Sequence, residues 1–414
     1  MNPRKNYMAA VGFTRRDGLI ALIGGMAALS GCGGGGGSSG VFGSIASVGS
    51  GGTGSFSSGA ITGFGSIIVN GVRFDESRAT ITDDDGVLHN AGDLKLGMVV
   101  SVAGSAIVAG PAGNTATANT ITFGSELRGP IDSIGSQSLV VLGQTVQIGA
   151  NTVFDSAIAG GLAGLSVGQT IEVHGFVDPA VNTIQATRIE RTGNTNTFKL
   201  LGMIQGLNTT AKTFAIGSLA ISYAGIASTD LPANLANGLV VRVRLATTPA
   251  TGTRTATRIR AVEREVENHD EAELEGTVTA FTSTSTFSVN GVAVDAGKAV
   301  FPNGTAGLRL GARVEVEGSL VNGVLAATSV KVENEAEVEN QEFELHGSVS
   351  NLNTTNKTFV IRGVTVSFAG NVRFDKGDAS TLVAVNGTSA IVEVKGTNNA
   401  ATNTVTATKI SFDN

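Results

Sequence analysis

The 414-residue chain has one cysteine, no tryptophan, two tyrosines, seven prolines and four histidines. One thiol cannot close a bridge within the chain, so a disulfide framework is excluded. Zinc sites draw on cysteines and closely spaced histidines, and His89, His174, His269 and His346 stand far apart. No metal site and no cofactor is therefore expected, and His174 and His346 are expected at solvent-facing strand positions. Aromatics are scarce and nearly all phenylalanine, at alternating positions such as Phe214, Phe287 and Phe359 that suit a core rather than a stacking platform for single strands or sugars. The balance of 28 basic against 34 acidic residues lacks the basic footprint of a nucleic-acid partner. No apolar run reaches the roughly 20 residues of a membrane-spanning helix. No sustained 3.6-residue period appears, so helices are few.

What the chain has instead is glycine, 57 of them, among Val, Ile, Leu, Ala, Thr, Ser and Asn. β-Branched residues suit a pleated surface, and Gly and Asn suit turns at positive φ. This is the composition of many short strands.

Residues 1–31 carry the three parts of an export signal: the basic residues Arg4, Lys5, Arg15 and Arg16, an apolar stretch from Leu19 to Leu29, and small residues before a processing point. Leu29-Ser30-Gly31-Cys32 resembles the lipobox of bacterial lipoproteins. That resemblance implies that the Cys32 thiol takes a diacylglycerol, that the leader is cut just before it, and that the new amino group is acylated. Two or three acyl chains, at about 0.8 kcal/mol per buried CH₂, hold a protein firmly to a membrane. Arg15 and Arg16, in Thr14-Arg15-Arg16-Asp17-Gly18-Leu19, resemble the twin-arginine export motif, with Gly18 departing from its usual bulky residue. Gly33 lacks the acidic character that retains enteric lipoproteins at the inner membrane, which points to the outer membrane. Removal of the leader leaves 24 basic and 33 acidic residues, a net charge near −9. Residues 33–58, mostly Gly and Ser, read as a flexible tether.

Internal repetition organises the rest. Gly-x-Ile/Val opens a unit at Gly59, Gly129, Gly202, Gly276 and Gly347, and Ala-Thr/Asn-x-Ile/Val closes one at Ala118, Ala186, Ala256, Ala327 and Ala407. Between them stand hairpins such as "IIVNGVRF" (67–74) and "FSVNGVAV" (287–294), whose Asn-Gly matches a two-residue type I′ turn. Leu-x-x-Gly then precedes an alternating strand, with Val314 and Val316 inward against Arg313, Glu315 and Glu317. Five or six short strands in each unit must close on themselves to protect their edges, and a small barrel does so most simply. These markers look like the bacterial domain of unknown function 5666 family. The resemblance covers all five copies and implies exported, β-rich modules carried in tandem on lipoproteins; it brings no catalytic residues. The expected organisation is all-β: a lipoprotein signal peptide (1–31), the lipidated cysteine and tether (32–58), and tandem small antiparallel OB-like barrels at 59–125, 126–194, 195–265, 272–333 and 342–414, strung as beads.

Candidate chemistry is thin. "GLSVG" (164–168) fits the nucleophile-elbow pattern, but sister copies put Lys95, Ala236 and Arg309 in the place of Ser166, so no catalytic residue is expected. "DDDG" (83–86) reads as a solvated turn, since the Asp-x-Asp-x-Asp-Gly order of a calcium loop is absent. Two acidic stretches, 263–275 and 333–344, flank the fourth copy; they read as soluble connectors or charged strand edges, with a docking face for cations or a basic partner as the functional alternative. The expectation is a membrane-anchored lipoprotein of the bacterial envelope, periplasmic or surface-facing, with a non-catalytic binding or structural role. Its partners would be the membrane through Cys32 and an envelope protein or polysaccharide. The alternatives are an extracytoplasmic enzyme or accessory subunit with a site between repeats, and an ion- or polysaccharide-binding surface protein.

Overall fold

Two-residue turns set the hairpins. Asn70 (φ 49°) and Gly71 (φ 73°) join Ile67–Val69 to Val72–Asp75, with Val69 opposite Val72. Leu142-Gly143, Asn290-Gly291 and Arg362-Gly363 repeat the pattern, both residues of each pair at positive φ. This handedness matches the twist of the flanking strands. The opening glycine of each copy lies against this turn: a Cβ on Gly276 would come within 2.2 Å of Asn290 Nδ2. Gly-x-Ile/Val is thus a packing requirement of the hairpin.

The computed structural model describes residues 54–413 apart from 112, 194, 249–251, 263–265, 335–340 and 386–387. In the fourth copy the first strand, His269–Ser283, pairs antiparallel with Thr286–Val289, which pairs with Val292–Asp295. That third strand runs parallel to the fifth, Val324–Val332, and the fourth, Arg313–Val321, lies antiparallel to both the fifth and the first. The order 1-2-3-5-4-1 closes the sheet and removes its edges, in the Greek-key manner of an OB-like barrel. The copy beginning at Ser55–Phe64 closes in the same order. So do those beginning at Leu127–Ile134, Thr197–Met203 and Glu342–Ser348. Each pairing of fourth with fifth strand carries a bulge, at Gly104, Gly175, Leu245, Gly318 and Gly396. A Cβ on Gly175 would sit 2.2 Å from the Gln185 carbonyl oxygen, so glycine lets the partner backbone close in.

The barrels are not separate beads. Ser55–Ser58 pair antiparallel with Ser101–Gly104 of their own barrel and parallel with Glu271–Leu274 of the fourth. Further along the same strand, Gly63 and Phe64 pair with Glu344 and Leu345 of the fifth. At each end the first strand pairs within its own barrel along one edge, and its other edge takes up a neighbouring barrel instead of lying exposed. Lys199 and Leu200 pair likewise with Arg128 and Leu127, joining the second and third barrels. Core packing follows these joints. One apolar cluster runs from Ile61, Phe74 and Val102 of the first barrel into Phe343, Phe359 and Ile410 of the fifth. A second joins Ile131 and Ile171 to Phe214 and Val243, across barrels two and three. The fourth barrel keeps its own cluster around Leu274, Phe287 and Val316, receiving Phe56 from the first.

Two expectations change here. Ser55–Ser58, read as the end of the tether, are the start of a strand, and Ser55, Ser57 and Ser58 are buried. Their hydroxyls are satisfied locally: Ser55 Oγ donates to Ser105 O (2.7 Å), and Asn70 Nδ2 donates to Ser57 Oγ (3.1 Å). The bead arrangement fails because strand ends and outer faces find partners in other copies.

Candidate functional site

The densest group of perturbed side chains lies where the first three barrels meet. It begins with the Asp83–Gly86 turn. Asp83 Oδ1 accepts from the amides of Asp85 and Val87, both at 2.9 Å, which fixes the turn. Asp84 then reaches the third barrel, where Lys199 Nζ (2.7 Å), Arg242 Nη1 (3.0 Å) and Arg244 Nη2 (3.4 Å) surround its carboxylate. Asp85 contacts Arg244 as well. Arg242 continues to Ser125 O at 2.8 Å and Glu126 Oε2 at 3.2 Å. The solvated-turn reading of "DDDG" is therefore corrected: the turn is an acidic plug in a basic socket. Burial pushes the Asp84 pKa up, but Lys199 and Arg242 outweigh it and the net shift is downward. Lys199, 1% exposed, is pulled below the usual lysine range by its own burial, which Asp84 offsets in part.

The second barrel completes the corner. Arg128 grips Glu172 through Nη2 (2.9 Å) and Nε (3.1 Å). Burial raises the Glu172 carboxyl, and Arg128 and His174 overturn that, bringing it down to about 2. His174 is 2% exposed rather than solvent-facing. Alternation does point it out of its own barrel, but the neighbouring copies cover that face. Its Nδ1 lies 3.2 Å from Gly124 O and its Nε2 has no partner. Burial holds it below the usual histidine range. A pocket of about 360 Å³ opens beside these groups, with His89 and Lys95 on its wall.

A second charged site occupies the outer face of the fourth barrel. Strand register sets Glu273 opposite Glu317 and Glu275 opposite Glu315. Like charges directly across a sheet destabilise it unless something compensates. Glu275, 7% exposed, is compensated by Arg313, which also touches Glu333 at 2.7 Å and lies 4.2 Å over the Phe176 ring of the second barrel. The carboxylates of Glu273, Glu315 and Glu317 lie within 4.8 Å of one another. Three such oxygens are a donor set for a hard cation. Burial, then the proximity of Glu315, pushes Glu273 up to about 9, so it keeps a proton at neutral pH and the repulsion is relieved without an ion. Nearby, Arg73 and Lys395 meet Glu344 in a cleft of about 430 Å³. The acidic stretches, so far as they fall among the described residues, lie largely in first strands that pair with the first barrel, through Glu271–Leu274 and through Glu344, rather than in free connectors or edges.

Arg15, Arg16, Leu29, Ser30, Gly31 and Cys32 lie outside the described residues. Ser166 sits in an exposed turn, its amide donating to Gln169 Oε1 at 3.0 Å, after a 3₁₀ turn at Gly161–Gly164 and before a strand. The strand–turn–helix of a nucleophile elbow is not formed there. His346 Nε2 meets Asp413 Oδ2 at 2.7 Å, and His89 lies 3.4 Å from Asp83 and 3.6 Å from Asp93.

The family described as "Domain of unknown function (DUF5666)" matches the chain at 58–110, 128–190, 275–331 and 346–411. The chain belongs to this family. The four DUF5666 segments fall on the first, second, fourth and fifth barrels; the third barrel lies between matched segments and closes in the same strand order. No curated protein matches the chain. Lys199, Arg242 and Arg244 were missed from sequence, although for Arg242 and Arg244 a signal was present. The two outward positions of the fourth strand are Ser101 and Ala103, Glu172 and His174, Arg242 and Arg244, Glu315 and Glu317, and Glu393 and Lys395 in the five successive barrels. Their charge changes from copy to copy while the inward residues stay apolar.

Proposed function

We propose that this protein is exported, anchored by lipid on Cys32 in the bacterial envelope, and carries its fused barrels as a non-catalytic binding or envelope-structural module. The leader and its lipobox-like Leu29-Ser30-Gly31-Cys32 support the anchor, and Gly33 favours the outer membrane. The observation that carries the non-catalytic reading is the Asp84 site: carboxylate and cations come from different barrels and answer one another at 2.7–3.4 Å. Groups consumed in holding barrels together are not free to turn over a substrate. A body locked in this way presents fixed clefts to an envelope protein or polysaccharide.

Metabolic labelling with a palmitate analogue tests the anchor. The wild-type protein takes up label and fractionates with outer membranes, while Cys32→Ala remains unlabelled as an uncut or soluble precursor. Equal labelling of the variant overturns the anchor. Replacement of Arg15 and Arg16 by Lys tests the route, since unimpaired export would assign the general secretion pathway.

A further inference from the structure

The largest cleft described, about 570 Å³, belongs to neither charged site. It lies where the first, second, fourth and fifth barrels converge, so it exists only in the assembled chain. Its floor is the outer face of two strands of the second barrel, Gln144–Phe154 and Thr183–Arg191, which run parallel with Thr145 beside Thr183 and Gln147 beside Gln185. Between Ile148 and Val153 the first of these leaves the ladder. That excursion is fastened from the fifth barrel by Asn398 Nδ2, which donates to Ala150 O (3.2 Å) and Thr152 O (2.9 Å). Gln341 and Phe343 close the cleft on one side, Arg313 and Glu333 on another.

We propose that this cleft binds a neutral saccharide. The proposal rests on the non-catalytic binding reading above and names its ligand class. Charge is the first argument. Among the described residues the only charged side chains lining the cleft are Arg313 and Glu333, which pair at 2.7 Å, so the described lining carries no net charge. A phosphate or carboxylate ligand would need surplus cations, and a metal ion would need a free carboxylate. Hydrogen-bonding capacity is the second. Gln137, Gln147, Gln185 and Gln341 line the cleft, each offering an acceptor oxygen and two donor hydrogens. Vicinal sugar hydroxyls, which donate and accept from adjacent atoms, match that array. An extended peptide fits this floor poorly. Thr145–Ile148 pair with strands on both sides, so this part of the floor has no free backbone edge for an extended chain to join. The volume is that of a small-molecule site, about 300–1,000 Å³.

The test is calorimetric titration of the full-length lipidated protein, in detergent, with maltotriose, cellotriose, mannotriose and tri-N-acetylchitotriose. Glucose 6-phosphate and a Gly-Ser hexapeptide serve as counter-probes. At least one trisaccharide binds saturably, with affinity unchanged between low and high salt. Gln147→Ala and Gln185→Ala each weaken it at least fivefold, and the unchanged thermal midpoint of these outward-facing substitutions shows the fold intact. Absence of binding by all four sugars, retention of full affinity in the double variant, or preference for the phosphate or the peptide overturns the proposal. Cleavage of the bound sugar, read by chromatography, would instead overturn the non-catalytic reading while leaving the cleft as the site.

Discussion

Removal of the Asp84 carboxylate is the most direct probe of how the barrels are joined. The Lys199 side chain is 2% exposed and that of Asp84 17%, with Arg242 and Arg244 completing the socket. Asp84→Ala leaves one buried ammonium and two guanidiniums facing a vacated corner. Breaking a buried pair from one side costs about 3–5 kcal/mol, because the surviving charge stays desolvated. Two features place this case near the lower end, at about 3 kcal/mol. Water can enter from the adjoining pocket of about 360 Å³, and Lys199, its pKa already lowered by burial, can release its proton. Replacing both partners, Asp84→Ala with Lys199→Met, removes the stranded ammonium and recovers much of the loss. Urea unfolding followed by circular dichroism at neutral pH measures all three. The pH dependence has a fixed sign. The Asp84 pKa is lowered in the fold, so its contribution is complete above the ordinary aspartate value, about 3.9, and is lost as pH falls through the folded value. The gap between wild type and Asp84→Ala therefore narrows in acid. An Asp84→Ala protein within about 0.5 kcal/mol of wild type, the range of ordinary surface changes, would refute the buried-socket reasoning. So would a double variant less stable than the single one.

Two further predictions follow from the fourth barrel. Glu273, pushed up to about 9, keeps a proton that the unfolded chain releases above about 4.3, so its contribution is complete in acid and is lost as pH rises towards 9. Glu273→Gln should therefore stabilise the protein more at pH 8.5 than at pH 5; equal shifts of the urea midpoint would show that the carboxyl titrates normally. Because Phe56 is the one buried residue that the core of this barrel takes from outside among the described residues, 269–333 should fold alone, with β-type circular dichroism and modest but cooperative unfolding, whereas 342–413, whose core is continuous with the first barrel, should not. The reverse result would mean that core continuity does not set the folding unit.

The strand and turn plan is local, and the sequence by itself determined it. Asn290-Gly291 takes positive φ because few other residues do so cheaply, Gly276 must lack a side chain to lie beneath it, and Phe287, Val314 and Val316 go inward because a period of two leaves them no other side. Barrel closure followed from the need to pair every edge. The lipobox-like segment ending in Cys32 was legible as a motif for the same reason: its meaning lies in adjacent residues. Alternation, however, states only which face a residue occupies on its own barrel, and says nothing of what lies against the outer face. His174 and Glu317 hold the same outward position, yet the first is buried at the junction of three barrels and the second is exposed. Asp84 looked like a solvated turn because Lys199 and Arg242, more than a hundred residues away, make its socket only after the barrels dock. The cleft at Gln147 and Gln185 is likewise a product of four barrels meeting. Tertiary structure alone decided these sites, because desolvation and ion pairing depend on distance in space, which no single strand encodes.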